Sequence, residues 1–213
     1  MKKVKGGLYL VLDPSVERNI LLEKLKAALE GGVKVLQIWN NWKNISRKED
    51  KITFINEVVN IANEFNVPVL INNDWEMIKY TDLSGVHFDS IPESLEDVKN
   101  DIGREIIVGI TCVNDLKTIE WADNYHVDYI SFCSLFSSKN AGECEIVKPE
   151  TIQKANEITD MPLFVSGGVT PINLMELKGL GVDGVAVISG VLESTLPTKV
   201  CVDYVQTLKK IKK

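Results

Sequence analysis

The 213-residue chain is poor in histidine and cysteine, with two and four, and contains no apolar run approaching the ~18 residues of a membrane span. Its opening Met-Lys-Lys-Val-Lys carries charge but no apolar stretch long enough for a signal peptide. Both absences point to a cytoplasmic protein with no membrane partner. Cys112, Cys133, Cys144 and Cys201 lie far apart and match no zinc or redox spacing, so reduced thiols are expected. Lys and Arg number 24 against 30 Asp and Glu, a formal net charge of −6. With a pI near 5.1, this argues against nucleic acid or anionic lipid as the main partner, although an acidic chain can still hold a local anion site. No Pro/Gly/Ser-rich tract or single-sign block forms a linker, and the length fits one domain over residues 1–213.

What is present is alternation. Residues 7–13 are a continuous apolar run between glycine and Asp-Pro, the pattern of a strand buried on both faces of a parallel sheet. Residues 16–30 carry helical apolar spacing at Ile20, Leu21, Leu25, Ala28 and Leu29, and stop at Gly31-Gly32. Further strands are predicted at 33–39, 67–71, 85–88, 106–110 and 127–132, with helices at 52–65, 76–80, 95–100, 116–124 and 149–158. Residues 162–190 then read as strand, loop, helix and strand, with the helix-period residues Ile172, Leu174, Met175, Leu177 and Leu180 between the two strands. A last helix is predicted over 200–208. Eight strands alternating with helices imply the α/β class, a parallel sheet with right-handed crossovers. A closed (β/α)8 TIM barrel is favoured because no strand reads as an edge.

In such a barrel, function sits on the loops after the strands. Gly167 and Gly168 follow the seventh strand, and Ile188, Ser189 and Gly190 end the eighth. A single Gly-Gly pair is an ordinary turn signal. Two glycine-terminated strands in tandem at the end of a βα array instead match the phosphate site that barrels build there, where backbone N–H groups approach an anion closely.

Several motifs carry a family resemblance: residues 7–13, Gly31-Gly-Val33 with Gln37, Pro68-Val-Leu-Ile-Asn72, Gly85-Val-His87, Asp128-Tyr-Ile130 with Phe136, Gly167-Gly-Val169, and Gly184-Val-Ala-Val-Ile-Ser189. In this order and spacing they resemble the thiamine phosphate synthase family and its relatives, the TenI-type thiazole tautomerases, over almost the whole chain. The resemblance implies coupling of hydroxymethylpyrimidine diphosphate to thiazole phosphate through a pyrimidine carbocation, with release of pyrophosphate. It places substrate contacts at Gln37, Asn72 and Thr111, and phosphate contacts at Gly167, Gly168, Ile188 and Ser189. It also implies Mg2+ on two aspartates, with arginine and lysine side chains stabilising the departing diphosphate.

The chain departs from that pattern on the diphosphate side. Where the family reads Gln-Leu-Arg-x-Lys, this chain reads Gln37-Ile-Trp39-Asn40-Asn41, losing both cations. The two family metal positions fall on Asn73 and Pro92, leaving Asp74 and Asp89 as displaced candidate ligands, or as cap and loop carboxylates. Ser138 and Lys139 stand where the family grips pyrophosphate, and Lys43 and Arg47 are further candidate cations. For the tautomerase alternative, the family histidine position is Val113. That leaves Cys112 or His87 as proton carriers, each also readable as a packed core residue. Trp39, Trp42 and Trp75 fall on the loops after strands two and three, as an apolar wall with Trp39 as a substrate contact, or as a cover suited to a homodimer contact. A third reading is a non-catalytic thiazole phosphate or thiamine phosphate binder.

Overall fold

A computed structural model describes residues 3–136 and 145–211. Eight parallel strands close into a barrel in sequence order: β1 (Gly7–Leu12), β2 (Val35–Ile38), β3 (Val69–Asn72), β4 (Gly85–Phe88), β5 (Ile107–Cys112), β6 (Tyr129–Phe132), β7 (Leu163–Ser166) and β8 (Gly184–Val187). The helices are α1 (Arg18–Glu30), α2 (Lys48–Glu64), α3 (Leu95–Ile102), α4 (Leu116–Asn124), α5 (Pro149–Ile158), α6 (Ser189–Leu192) and α7 (Pro197–Ile211). No helix among the described residues is long and apolar enough to cross a membrane.

The differences from the expected elements have local causes. Strands two, three and six start two residues later than the apolar runs do. The N–H groups of Val33, Val67 and Val127 bond back to the carbonyls of Ala28, Ala62 and Ala122 in the preceding helices, at 3.4, 3.1 and 3.1 Å. These valines are core residues of the helix-to-strand turns, and their apolar character reports burial rather than pairing. The expected helices at 76–80 and 172–180 are 3-10 helices, Trp75–Tyr80 and Asn173–Leu177. Both are short connectors, the setting in which 3-10 geometry is common, and Gly179 and Gly181, at φ 86° and 71°, follow the second and keep it from continuing.

Period-two alternation divides the side chains. Leu8, Leu10, Leu12, Leu36 and Ile38 face outward into the layer shared with the helices. Tyr9, Val11, Val35, Leu70, Ile107, Tyr129, Phe164 and Ala186 fill the barrel. Tyr9, Tyr129 and Phe164 meet edge to face, with ring centroids 5.9, 5.5 and 5.3 Å apart. The neighbouring strands make room for two of these rings with glycine. A Cβ on Gly109 would lie 2.0 Å from Tyr129 Cζ, and one on Gly184 would lie 2.3 Å from Phe164 Cε1. The aromatic plug fills the barrel below the mouth and turns both tyrosine hydroxyls towards polar groups.

Candidate functional site

Above the plug, inward positions become polar as the strands approach their carboxyl ends. Gln37 on β2, Asn72 on β3, His87 on β4 and Ser131 on β6 are all buried, and Thr111 on β5 is half-buried. They share parity with the plug residues, so the alternation that buries Tyr9 and Tyr129 also brings these groups to the axis. Tyr9 Oη donates to Gln37 Oε1 at 2.6 Å and lies 2.9 Å from Tyr129 Oη. Tyr129 Oη is 2.9 Å from His87 Nδ1, and His87 Nε2 is 2.8 Å from Thr111 Oγ1. A continuous hydrogen-bonded chain thus crosses the barrel from β5 to β2.

Burial pushes His87 down from the ordinary 6.5 to about 4, against the opposing pull of Asp89. Burial likewise raises the two tyrosines, so both stay protonated. Because the folded form binds the His87 proton more weakly than the unfolded chain, its contribution to stability is complete above pH 6.5 and is lost as pH falls towards 4. At about 1.4 kcal/mol per pH unit the loss is on the order of 3 kcal/mol. Chemical denaturation at pH 7 and pH 4 should show this loss in the native chain and a smaller one in His87→Gln. Equal losses in both would remove His87 from the acid response.

The β3 and β4 ends are tied by amides. Asn72 Nδ2 donates to Asp89 Oδ1 at 2.9 Å, and Asn73 Nδ2 donates to Asp89 Oδ2 at 2.7 Å. Asn73 Oδ1 accepts from Asp89 N at 3.0 Å, and Asn73 sits at φ 57°, a conformation asparagine tolerates. Both Asp89 oxygens therefore already serve neutral donors. Asp74 faces a different partner, Lys51 Nζ at 3.8 Å from Oδ2. Pro92, at the other family metal position, lines a cavity of about 500 Å3 with Asn73, Trp75, Phe88 and Asp97. Among the described residues no group of three or more His, Cys, Asp and Glu side chains could hold a metal ion. Asp89 is engaged by two amide donors and Asp74 faces Lys51, so neither carboxylate stands free as one of the one or two that usually hold Mg2+ together with substrate phosphates.

Opposite these loops, Gly167 and Gly168 have φ of 83° and 67°, which a side chain rarely adopts. Asn173 Nδ2 donates to Gly168 O at 2.9 Å, and Tyr204 Oη on α7 donates to Val169 O at 2.7 Å. Ile188 precedes α6, and Ser189 is its first residue. Gly190 leaves room for Tyr204, whose Oη would lie 2.9 Å from a Cβ there. Because β7 and β8 are neighbours, the four expected phosphate residues share one side of the mouth, and Asn173 and Tyr204 hold the carbonyls of Gly168 and Val169 there. The segment after β6 joins them, with Leu135 N donating to Ser166 O at 2.9 Å and Phe136 N to Gly167 O at 3.0 Å. Ser138 and Lys139 lie outside the described residues.

The tryptophans do different work. Trp39 is 36% exposed just past β2, Trp42 packs edge to face on Phe54 of α2 at 6.1 Å, and Trp75 lines the outer cavity. Lys51 Nζ lies 5.1 Å from the Trp42 ring centroid as well as beside Asp74. Lys51 is thus a cation near the mouth that the strand-end loops do not reveal, because it belongs to the first turns of a helix. Arg47 is committed to Asp50 through two bonds of 2.8 and 2.9 Å at the start of α2, and Lys43 is exposed. Cys112 is fully buried, and burial raises its thiol to about 12, while both His87 nitrogens are occupied. Neither group is presented to the mouth as a free proton carrier.

A family model described as thiamine monophosphate synthase matches residues 8–191. A thiamine-phosphate synthase of Clostridium perfringens is 34% identical over 196 residues, covering 88% of each chain. One from Staphylococcus carnosus is 28% identical over 195 residues, covering 91% of each. Among solved structures, a thiamine phosphate pyrophosphorylase from Pyrococcus furiosus covers 97% of both chains with a TM-score of 0.82 and 22% identity, a likeness of fold.

Proposed function

Since the chain belongs to the thiamine monophosphate synthase family, we propose that it binds a thiazole phosphate at Gly167, Gly168, Ile188 and Ser189 and joins it to a hydroxymethylpyrimidine diphosphate. In that reaction the pyrimidine methylene C–O bond breaks, its electron pair leaves with pyrophosphate, and the thiazole nitrogen lone pair forms the new C–N bond. The observation that carries the reading is the opposition, across one mouth, of an anchored glycine cup and the polar floor of Gln37, Asn72 and Thr111.

The diphosphate side is a reduced form of the family arrangement. With Asn73 and Pro92 at the metal positions, no step is assigned to Mg2+. Stabilisation of the departing charge falls to Lys51, with the amide donors of Asn72 and Asn73, and, from its place in the sequence, to Lys139. A specific observation also supports a second reading, that of a phosphate-binding protein without coupling activity: the Asp89 carboxylate is taken up by two amides. The tautomerase alternative ranks below both because Cys112 is sealed and His87 is doubly bonded.

The deciding experiment is pyrophosphate release from hydroxymethylpyrimidine diphosphate plus thiazole phosphate, with Mg2+ and with chelator, beside calorimetry of thiamine phosphate binding. Release at a similar rate under both conditions is expected. Lys51→Ala should lower it roughly tenfold or more, the scale of a lost charge-stabilising group, with thiazole phosphate affinity retained. An unchanged rate in Lys51→Ala removes that role. Thiamine phosphate binding without release turns the assignment to the binding protein, and neither binding nor release rejects both readings.

A further inference from the structure

The loop after β7 carries a run of held carbonyls. Ser166 O accepts from Leu135 N at 2.9 Å, and Gly167 O accepts from Phe136 N at 3.0 Å. Gly168 O accepts from Asn173 Nδ2 at 2.9 Å, and Val169 O accepts from Tyr204 Oη at 2.7 Å. Each of these peptides is planar and trans, so the N–H that follows a held carbonyl points the opposite way. The restraint matters at this place because Gly167 and Gly168, at φ 83° and 67°, are the residues most free to turn their peptide groups. Thr170 N is taken by Asn173 Oδ1 at 2.7 Å. The N–H groups of Gly168 and Val169 have no acceptor among the described residues, and successive N–H groups left in this way form an anion-binding concavity.

Two of the four donors are backbone groups and two are side chains. Asn173 meets one carbonyl and one N–H, whose roles are fixed, so its amide has a single orientation. Tyr204 reaches the loop from α7 as a fully buried phenol, and burial raises its hydroxyl to about 12, which keeps the donor proton in place. A phenylalanine would fill the same ring space, so what the hydroxyl adds is the bond to Val169 O. The same oxygen lies against Gly190 of α6, where a Cβ would be 2.9 Å from it. One buried atom therefore touches both segments that carry the expected phosphate residues.

We propose that Tyr204 and Asn173 are positioning residues for phosphate. They fix the peptide groups after the glycine pair so that the Gly168 and Val169 N–H groups are set before an anion arrives, and Tyr204 keeps that loop in place against α6. The ligand half of this inference rests on the function proposed above; the fixed orientation of the peptides does not.

Calorimetry with thiazole phosphate and with the unphosphorylated thiazole alcohol isolates the phosphate group, since the ring is common to both. The native chain should favour the phosphate by roughly tenfold or more, the scale of one or two charge-assisted hydrogen bonds. Tyr204→Phe and Asn173→Ala should each shrink that advantage several-fold and leave the affinity for the alcohol unchanged. Gly103→Ala, a backbone change at the far end of α3, is the control for stability alone and should keep the native ratio while melting lower. A tyrosine that served only packing would behave as this control does. A ratio unchanged in either folded variant removes that residue from the role, and a ratio unchanged in both overturns the inference while the proposed function stands. If Tyr204→Phe does not fold, Asn173→Ala, in the short 3-10 helix, decides the inference alone. No advantage for the phosphate in the native chain rejects the cup itself, and the thiazole phosphate assignment falls with it.

Discussion

Gly109→Ala is expected to destabilise the protein by about 3 kcal/mol, at the upper end of the usual overpacking cost. For a chain of this size that lowers the melting temperature by roughly 6–12 °C. The added methyl would sit 2.0 Å from Tyr129 Cζ and 2.4 Å from its Oη. The ring has nowhere to go. Tyr129 is fully buried, packed edge to face on Tyr9 and Phe164, and bonded through its hydroxyl to Tyr9 and His87. Moving it aside opens a cavity in the plug and breaks the chain that holds Gln37. Gly103→Ala provides the contrast. Gly103 closes α3 at φ 70°, and a Cβ added there would have nothing within 4 Å, so that substitution carries only the backbone penalty, about 1–2 kcal/mol. Thermal melts of the two variants check the pair. Similar small shifts in both would mean that the plug is soft and that Tyr129 is free to move.

The barrel is legible in the sequence because a parallel strand buried on both faces leaves an apolar run, and its crossover helix leaves a 3.6-residue period, and both signals repeat along this chain. The two diverge from the fold where apolar character serves another purpose. Val33, Val67 and Val127 are as buried as strand residues but bond to the preceding helix. Residues 172–180 carry helical spacing because Leu174 and Leu177 must reach the core, yet Ile172 is 88% exposed and glycines end the element within two turns. Periodicity records which side chains are buried and leaves the backbone hydrogen-bond pattern open.

The site is legible to the extent that its residues lie at strand ends. Gln37, Asn72 and Thr111 lie on the inward parity at their strand ends, and Gly167, Gly168, Ile188 and Ser189 follow the adjacent strands β7 and β8. Tyr9 and Tyr129 are hidden because each sits within an apolar run, where a tyrosine reads as bulk. The usable signal is parity, since residues 9, 11 and 13 share one face of the first strand and Asp13 is polar. Lys51 gives no such signal, because its place beside Asp74 depends on how α2 lies against the loop after β3. Asp74 and Asp89 look interchangeable as displaced ligands. Their partners, a lysine for one and two amides for the other, come from chain segments that only the folded barrel juxtaposes.

Gly167→Ala is expected to weaken thiazole phosphate binding at least tenfold while the barrel remains folded. Two costs coincide at this position. Its φ of 83° disfavours any Cβ by about 1–2 kcal/mol, and the Cβ would lie 2.0 Å from Ser134 Oγ and 2.9 Å from Ser134 Cα. Ser134 cannot simply rotate its hydroxyl away. Its Oγ donates to Phe136 O at 2.8 Å, and the same segment is bonded to β7 through Leu135 and Phe136. Relief must therefore come from a shift of the Gly167-Gly168 backbone, whose N–H groups form the proposed anion cup, and a displacement of even about 1 Å removes hydrogen bonds aimed at a bound phosphate. Gly179→Ala isolates the first cost. Gly179 has φ 86° but open space around a Cβ, and it lines a separate cavity with Val182 and Ile211. That variant should lose about 1–2 kcal/mol of stability through backbone strain alone and bind thiazole phosphate as the native chain does. Calorimetric titration of both variants, after thermal melts establish that they are folded, separates strain from binding. If both lose affinity equally, strain anywhere in the fold is sufficient and the cup has no special role. If Gly167→Ala binds normally, the phosphate is held elsewhere on the mouth, and Lys51 with the amides of Asn72 and Asn73 becomes the alternative anion site to test.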